Sequence, residues 1–398
     1  MGIKGLKKYL IGKYPHLERK ENMYKFRGCK IAIDVSILGY KYWSPMQNRI
    51  VNKITDPTED LDVSAITKLW LENIWKFMSK LLVIGVTPVM VFDGKPPSEK
   101  LVIADRRSER AAGEKAINDF KEEMKRLDPL SRTKEHLQRI KKMYYSWNAL
   151  SGEQFSLLKV FFTGLGLPVL QAVHEAEALC CELCRKGLVS AVYSNDIDCL
   201  AHGATCWIYE KTEEKEFVPE RKEYIEKFEF MFYDEVLKAT NLTEEMFIDL
   251  CIMCGCDYNS NIKNIGPSKS HGYIKNYGNI EKLSGTLDIS VYRHLICREL
   301  FSRKDYSVIC TKPDYKLEID KKCVDEYSRE YLMKCEMEHL VQHLDFIYAT
   351  FPNEYVQFKD IFLNSQNIKV DVSTINMNSI NIGSIDISDI DFSKLNIQ

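Results

Sequence analysis

Seven carboxylates, Asp34, Asp93, Glu175, Glu177, Asp196, Asp198 and Asp257, each stand where an apolar strand or helix pattern ends. Gathered without a counter-charge they would repel one another and raise one another's pKa, so the chemistry they share is the binding of divalent metal ions. Taken singly, some have plainer alternatives. Glu175 and Glu177 also read as ordinary first-turn glutamates favoured by the helix dipole, and Asp196-Ile197-Asp198 as a turn whose Asp side chains bond the backbone. Two residues at i, i+2 point to different sides of a regular helix, so the two glutamates converge only if Glu175 occupies the cap or the first turn.

The surrounding elements give these acids a reason to meet. Lys30-Ile31-Ala32-Ile33 and Pro88-Val89-Met90-Val91-Phe92 are β-prone runs ending at Asp34 and Asp93. Between them Val63, Ile66, Leu69, Trp70, Ile74, Phe77, Met78 and Leu81 recur at helical spacing. Pro168-Val169-Leu170 predicts a strand leading to a helix over Glu175 to Arg185, and Val189 to Tyr193 another strand just before Asp196. Alternation of this kind predicts an α/β fold, a mainly parallel central sheet flanked by helices. In such sheets the ligand crevice lies outside the carboxyl ends of the strands, where Asp34, Asp93, Asp196 and Asp198 fall.

A chain of 398 residues with 45% hydrophobic and 28% charged content can bury a large core. No run reaches the length of a membrane span, and the start lacks a signal-peptide core, so a soluble intracellular protein without a membrane partner is expected. Thirteen cysteines, an odd number lying largely in apolar patterns, are expected to be reduced thiols. Cys181-x-x-Cys184 and Cys251-x-x-Cys254 resemble zinc half-sites, but both sit in helical patterns and no histidine pair completes either. The net charge of −2 hides opposed segments. Lys100 to Lys142 holds thirteen Lys and Arg against eight Asp and Glu, whereas Glu210 to Glu229 holds eight acids against five bases. The first segment reads equally well as a nucleic-acid surface or as a solvated amphipathic helical pair.

A further constellation runs from Phe247 through Gly255-Cys256-Asp257-Tyr258 to Ile265-Gly266-Pro267-Ser268-Lys269: an apolar helix, a glycine-containing loop, and a new helix opened by Pro267. Gly266 before a helix start lets backbone N–H groups approach a phosphate, with the charge of Lys269 nearby. Helix pairs with such loops also occur without any ligand.

Met1-Gly2-Ile3-Lys4-Gly5-Leu6, Ala32-Ile33-Asp34, Val91 to Pro97, Arg107-Ser108-Glu109-Arg110, Glu175-Ala176-Glu177-Ala178, Asp196 to Leu200, Gly255 to Tyr258 and Ile265-Gly266-Pro267 together resemble the flap endonuclease branch of the XPG-type structure-specific nucleases. The motifs come in family order over roughly residues 1 to 285. The resemblance implies a 5′-nuclease fold with a helical arch and a helix-hairpin DNA-binding motif. It also implies that all seven acids hold two Mg²⁺ ions, for which Mn²⁺ can substitute, and that these ions hydrolyse a phosphodiester. Lys100 and Arg107, seven apart on the predicted arch helix and so on one face, match basic residues that face the scissile phosphate, with Arg110 one turn on. Tyr40 matches an aromatic that stacks on a nucleobase, although a buried core tyrosine is its alternative. Gly2 would place its amino group near the metals once Met1 is removed. Ile265, Gly266 and Lys269 would hold duplex backbone, with a K⁺ ion at that hairpin.

The expected organisation is an amino-terminal nuclease region over 1–98, an arch over 99–150, an internal nuclease region over 151–285, a mainly helical extension over 286–363 and a low-complexity, disordered tail over 364–398. The tail shows no glutamine, aliphatic, paired-aromatic pattern of the kind that docks flap endonucleases on a sliding clamp, which argues against clamp binding by that route. Its alternation at Ile380, Ile382, Ile385 and Ile387 also allows an added strand. A monomer is expected. The compartment stays open between a nucleus and a viral or parasite replication site. The leading expectation is a Mg²⁺-dependent endonuclease cutting flapped or branched DNA at 5′-flap junctions in replication or repair. The rival expectations are a 5′ to 3′ exonuclease or junction resolvase of the same superfamily and, from another class, a non-catalytic DNA-binding scaffold.

Overall fold

The computed structural model of the chain describes residues 2–95, 97, 103–147, 150–219, 222–302 and 317–319. Helix α1 (Leu6–Lys13) and a short strand β1 (Arg19–Asn22) precede β2 (Lys30–Asp34), followed by α2 (Val35–Lys53), α3 (Val63–Val83) and β3 (Thr87–Phe92). The basic segment forms α4 (Ile103–Arg126) and α5 (Lys134–Ser146). Then come α6 (Gly152–Gly164), β4 (Val169–Gln171), α7 (Ala176–Arg185), β5 (Ala191–Tyr193) and α8 (Asp198–Ala201). A long hairpin of β6 (Cys206–Val218) and β7 (Glu223–Phe232) is followed by helices α9 (Tyr233–Thr240), α10 (Glu244–Cys254), α11 (Pro267–Tyr277) and α12 (His294–Phe301).

The strands make one sheet in the order β1-β7-β6-β5-β2-β3-β4. From β6 through β5, β2 and β3 to β4 every pairing is parallel, while β6, β7 and β1 pair antiparallel at one edge. All six residues of β3 are buried, as expected of a strand covered on both faces. One face packs on α1, α7 and α10 through Leu6, Leu10, Leu179 and Leu250, and the other on α2, α3 and α6 through Trp43, Trp70 and Phe162. Strands from 1–98 and from 151–285 thus interleave in a single sheet, and the carboxyl ends of its parallel strands β5, β2, β3 and β4 open on one side of it.

The arch helices rest on a core of their own, in which Ile117, Phe120 and Met124 of α4 and Ile140 and Tyr144 of α5 meet Val51 and Ile54 at the end of α2. The acidic run from Glu210 to Glu229, read above only as charge, is the β6–β7 hairpin. Its outer carboxylates are used on β1, where Lys20 pairs with Glu214 at 2.9 Å and Glu229 at 3.4 Å. The two zinc half-sites lie inside the core. Cys181 donates to the carbonyl of Cys199 at 3.6 Å, Cys184 lies 3.0 Å from the Thr205 hydroxyl, and Cys251 and Cys254 are buried on α10. No helix among the described residues is long and apolar enough to cross a membrane. The tail over 364–398, with its clamp and added-strand readings, and most of the extension over 286–363 lie outside the described residues.

Candidate active site

Asp34 is the last residue of β2 and caps α2, its carboxylate accepting the Ser36 N–H at 2.9 Å. Asp93 follows the end of β3; one of its oxygens accepts the Ser36 hydroxyl and the other the Ala176 N–H, at 2.8 Å. Behind it the backbone of Gly94 runs so close to the carbonyls of Ala172 and Val173 that a side chain there has no room. Gly94 N–H also donates to His174 at 2.6 Å, which ties the end of β3 to the segment entering α7.

Glu175 is the N-cap residue of α7 and Glu177 lies in its first turn, the placement that lets an i, i+2 pair converge. Glu175 does not cap its own helix with its side chain. Asp93 supplies an acceptor there instead, while Glu175 accepts the hydroxyl of Tyr258, the residue after Asp257. Asp196 and Asp198 follow β5, with Asp198 N–H on Asp196 at 3.1 Å, so the Asx-turn alternative is also realised. Asp198 accepts the Ile3 N–H at 2.9 Å as well. Gly2 lies with φ +82° directly against the carboxylates of Asp196 and Asp198, leaving no space for a Cβ.

Glu177, Asp196 and Asp198 each offer an oxygen, and these atoms lie within 4.8 Å of one another. Asp34, Asp93, Glu175, Glu177, Asp196 and Asp257 line one cleft of about 760 Å³, with Asp198 buried at 2% exposure among them. Burial first, and then Asp93 and Asp196, pushes the Asp34 carboxyl well above its usual range, against the Ser36 and Ile37 N–H groups. Burial and Asp196 do the same to Asp198. An all-oxygen donor set whose members repel one another fits hard divalent cations and leaves zinc-type thiolate ligation no part.

Tyr40 is 49% exposed at this cleft, its ring edge-on to Phe155 at 6.0 Å, so the core alternative does not hold. Arg107 and Arg110 lie one turn apart on α4, whose described part starts at Ile103; Lys100 and the Arg107 side chain lie outside what is described. Ile265, Gly266 and Lys269 do not line the cleft. Gly266 is the N-cap of α11, Ile265 is buried beneath it and Lys269 is exposed. Lys4 N–H bonds the Gly255 carbonyl at 3.0 Å and Gly5 packs on Pro267, so the same amino-terminal segment touches the acids and the hairpin.

Sequence reasoning missed Ser36, Lys41, Phe155, the acceptor role of Asp93 on α7 and the bond from Tyr258. A hydroxyl two residues after Asp34 and a tyrosine beside Asp257 were the available signals. For Lys41 and Phe155 there was none.

A family model described as the XPG N-terminal domain matches residues 1–114, and one described as the XPG I-region matches residues 166–257. Flap endonuclease 1 of Micromonas commoda is 35% identical over 294 residues, covering 73% of this chain and 70% of that protein. Flap endonuclease 1 of Naegleria gruberi is 32% identical over 297 residues, covering 74% of this chain and 70% of that protein. Among solved structures, the catalytic core of Rad2 in complex with DNA substrate superposes with a TM-score of 0.52 at 20% identity, over 87% of this chain and 99% of that one. Flap endonuclease-1 from Methanococcus jannaschii gives 0.51 at 20% identity, over 83% and 96%. At that identity the two structures speak for the fold.

Proposed function

The chain belongs to the XPG family of structure-specific nucleases, in its flap endonuclease branch, and from that membership we propose that it cuts DNA at 5′-flap junctions using two Mg²⁺ ions held by its seven acids. It is a metal-dependent nuclease that binds DNA. The observation that carries the reading is the convergence of Glu177, Asp196 and Asp198 to within 4.8 Å, in the cleft where burial and neighbouring acids push the Asp34 carboxyl above its usual range.

Bound there, the ions supply an activated water and neutralise charge on the phosphodiester oxygens. The chain's own residues do the rest. Ser36 and the Ala176 N–H fix the two oxygens of Asp93, and Tyr258 fixes Glu175, so these acids are oriented before any ligand arrives. Arg107 and Arg110 on α4, together with Lys100, offer positive charge to the scissile phosphate. Tyr40 at the cleft offers a face to a nucleobase. The start of α11, with Gly266 and Lys269, takes duplex backbone, and a K⁺ ion at its loop belongs to the same reading. Mn²⁺ able to replace Mg²⁺, a monomeric state, no sliding-clamp docking through a glutamine, aliphatic, paired-aromatic motif, and an intracellular site of action in replication or repair complete the proposal.

Matched 5′-flap, nicked, blunt and four-way-junction DNAs incubated with Mg²⁺ test it by product size. Release of the intact flap is expected; mononucleotide ladders from blunt ends, or preferential cutting of the four-way junction, would replace this reading with the exonuclease or resolvase one. Asp196→Asn is expected to abolish cutting and leave junction binding in place, and unimpaired turnover would remove the acids from the chemistry.

A further inference from the structure

Among the described residues lining the cleft, Lys41 alone is a lysine or arginine. It stands on α2 seven residues after Asp34 and shares the helix face that Asp34 and Ile37 begin. Its Nζ donates to the Tyr193 hydroxyl at 3.1 Å and lies 5.8 Å from the centroid of that ring. Both are contacts with a neutral group. Glu210, the acid whose field reaches Lys41, is engaged by Lys7 at 3.6 Å. Burial accordingly pulls the Lys41 ammonium below its ordinary 10.5, the sign of a charge desolvated without an ion pair to offset it. An ammonium has three donors, and Tyr193 takes one.

The strand order decides what that charge can meet. Lys41, Glu210 and Asn195 gather where the cleft passes the end of β5 and the stretch of β6 just beyond its pairing with β5, whereas Asp93 and His174 lie at the β3 and β4 end. A substrate anion entering a cleft whose described lining carries seven carboxylates, Glu210 among them, and a single lysine meets that lysine's positive charge there. We propose that Lys41 binds a backbone phosphodiester of the DNA substrate at the β5–β6 end of the cleft, on the sheet side and not on the arch. The inference rests on the reading of the chain as a DNA nuclease and adds a substrate contact to it. As a point charge, Lys41 fixes the path of the strand without reading its sequence.

Lys41→Met keeps the apolar stem and removes the charge, Lys41→Arg keeps the charge, and Tyr193→Phe removes only the neutral partner. Each is placed in the Asp196→Asn background, so that 5′-flap DNA stays uncut in Mg²⁺, and its binding constant is measured from about 50 to 200 mM salt. The log-log salt slope of Lys41→Met is expected to be shallower than that of its parent by about 0.7 to 0.9, one phosphate's worth, with Lys41→Arg and Tyr193→Phe at the parental slope. Thermal midpoints of the free proteins check that Lys41→Met is folded. A parental slope in folded Lys41→Met, or an equal fall in Lys41→Arg, overturns the proposal. Failure of the parent itself to bind flap DNA in a salt-dependent way would instead overturn the nuclease reading.

Discussion

Asp93 accepts the backbone N–H of Ala176 at 2.8 Å, so a carboxylate at the end of β3 serves as acceptor for the helix that carries Glu177. The cleft's acids are therefore not independent of one another. Removing one disturbs the placement of another. Asp93→Asn keeps an oxygen for the Ala176 N–H, whereas Asp93→Ala leaves it without its acceptor. Both are expected to lose cleavage, but only Asp93→Ala should lose stability as well, by about 1 kcal/mol, the usual worth of a helix cap. Urea denaturation in EDTA separates them, and equal stability of the two variants would show that the bond contributes nothing to α7.

A pH dependence follows from Asp34 and Asp198, whose carboxyls burial and neighbouring acids hold well above the ordinary 3.8. A group with a raised folded pKa lends its full stability below its unfolded value, and that contribution is lost as pH rises through the folded one. The metal-free protein is expected to weaken as pH climbs from about 3.8, and Mg²⁺ should restore it most at the upper end, where the acids are ionised. Denaturation midpoints against pH, with EDTA and with Mg²⁺, give the two profiles. Asp198→Asn should flatten the EDTA profile; the wild-type slope in that variant would rule out Asp198 as its source.

The hydroxyl of Tyr258 gives a third test. It is buried, it bonds Glu175, and burial together with Glu175 pushes its own ionisation far up, so it stays protonated and donates to the carboxylate. Tyr258→Phe keeps the ring packed edge-on to Phe301 and leaves Glu175 without this donor. Loss of an outer partner of a ligand costs about 10- to 100-fold in metal affinity. The variant should need correspondingly more Mg²⁺ for half-maximal cleavage and approach the wild-type rate at saturation. A reduced rate with an unchanged Mg²⁺ requirement would assign Tyr258 a different part.

Asp34 and Asp93 were legible in the sequence because a short β-prone run ending in an acid has one meaning in a parallel sheet. Glu175 was legible because an i, i+2 pair converges only from a cap. The β6–β7 hairpin was not, since Lys, Thr and Glu mask its alternation, although Phe228, Phe230 and Phe232 at two-residue spacing do bury their rings. Lys41 and Phe155 were invisible for a different reason. What makes each of them part of the cleft is a partner far along the chain, Tyr193 for one and Tyr40 for the other. Pattern within a segment reports which face is buried; it does not report which distant side chain completes a surface.

Gly266 separates a demand of the fold from a demand of the ligand. Its backbone, φ −105° and ψ −176°, is open to any residue, and a Cβ there would have no heavy atom within 4 Å. Among the described residues nothing requires glycine at this position, in contrast to Gly94 and Gly2. If the start of α11 approaches a phosphate through its N–H groups, the missing side chain is room for the DNA backbone. Gly266→Ala should then leave stability unchanged or raise it by about 0.4 to 1 kcal/mol, because the unfolded chain loses freedom. The same variant should weaken binding to flap DNA, and Gly266→Val should weaken it more. Binding and melting measured on the same preparations decide the matter: unchanged DNA affinity in both variants would show that the duplex does not approach this helix start closely.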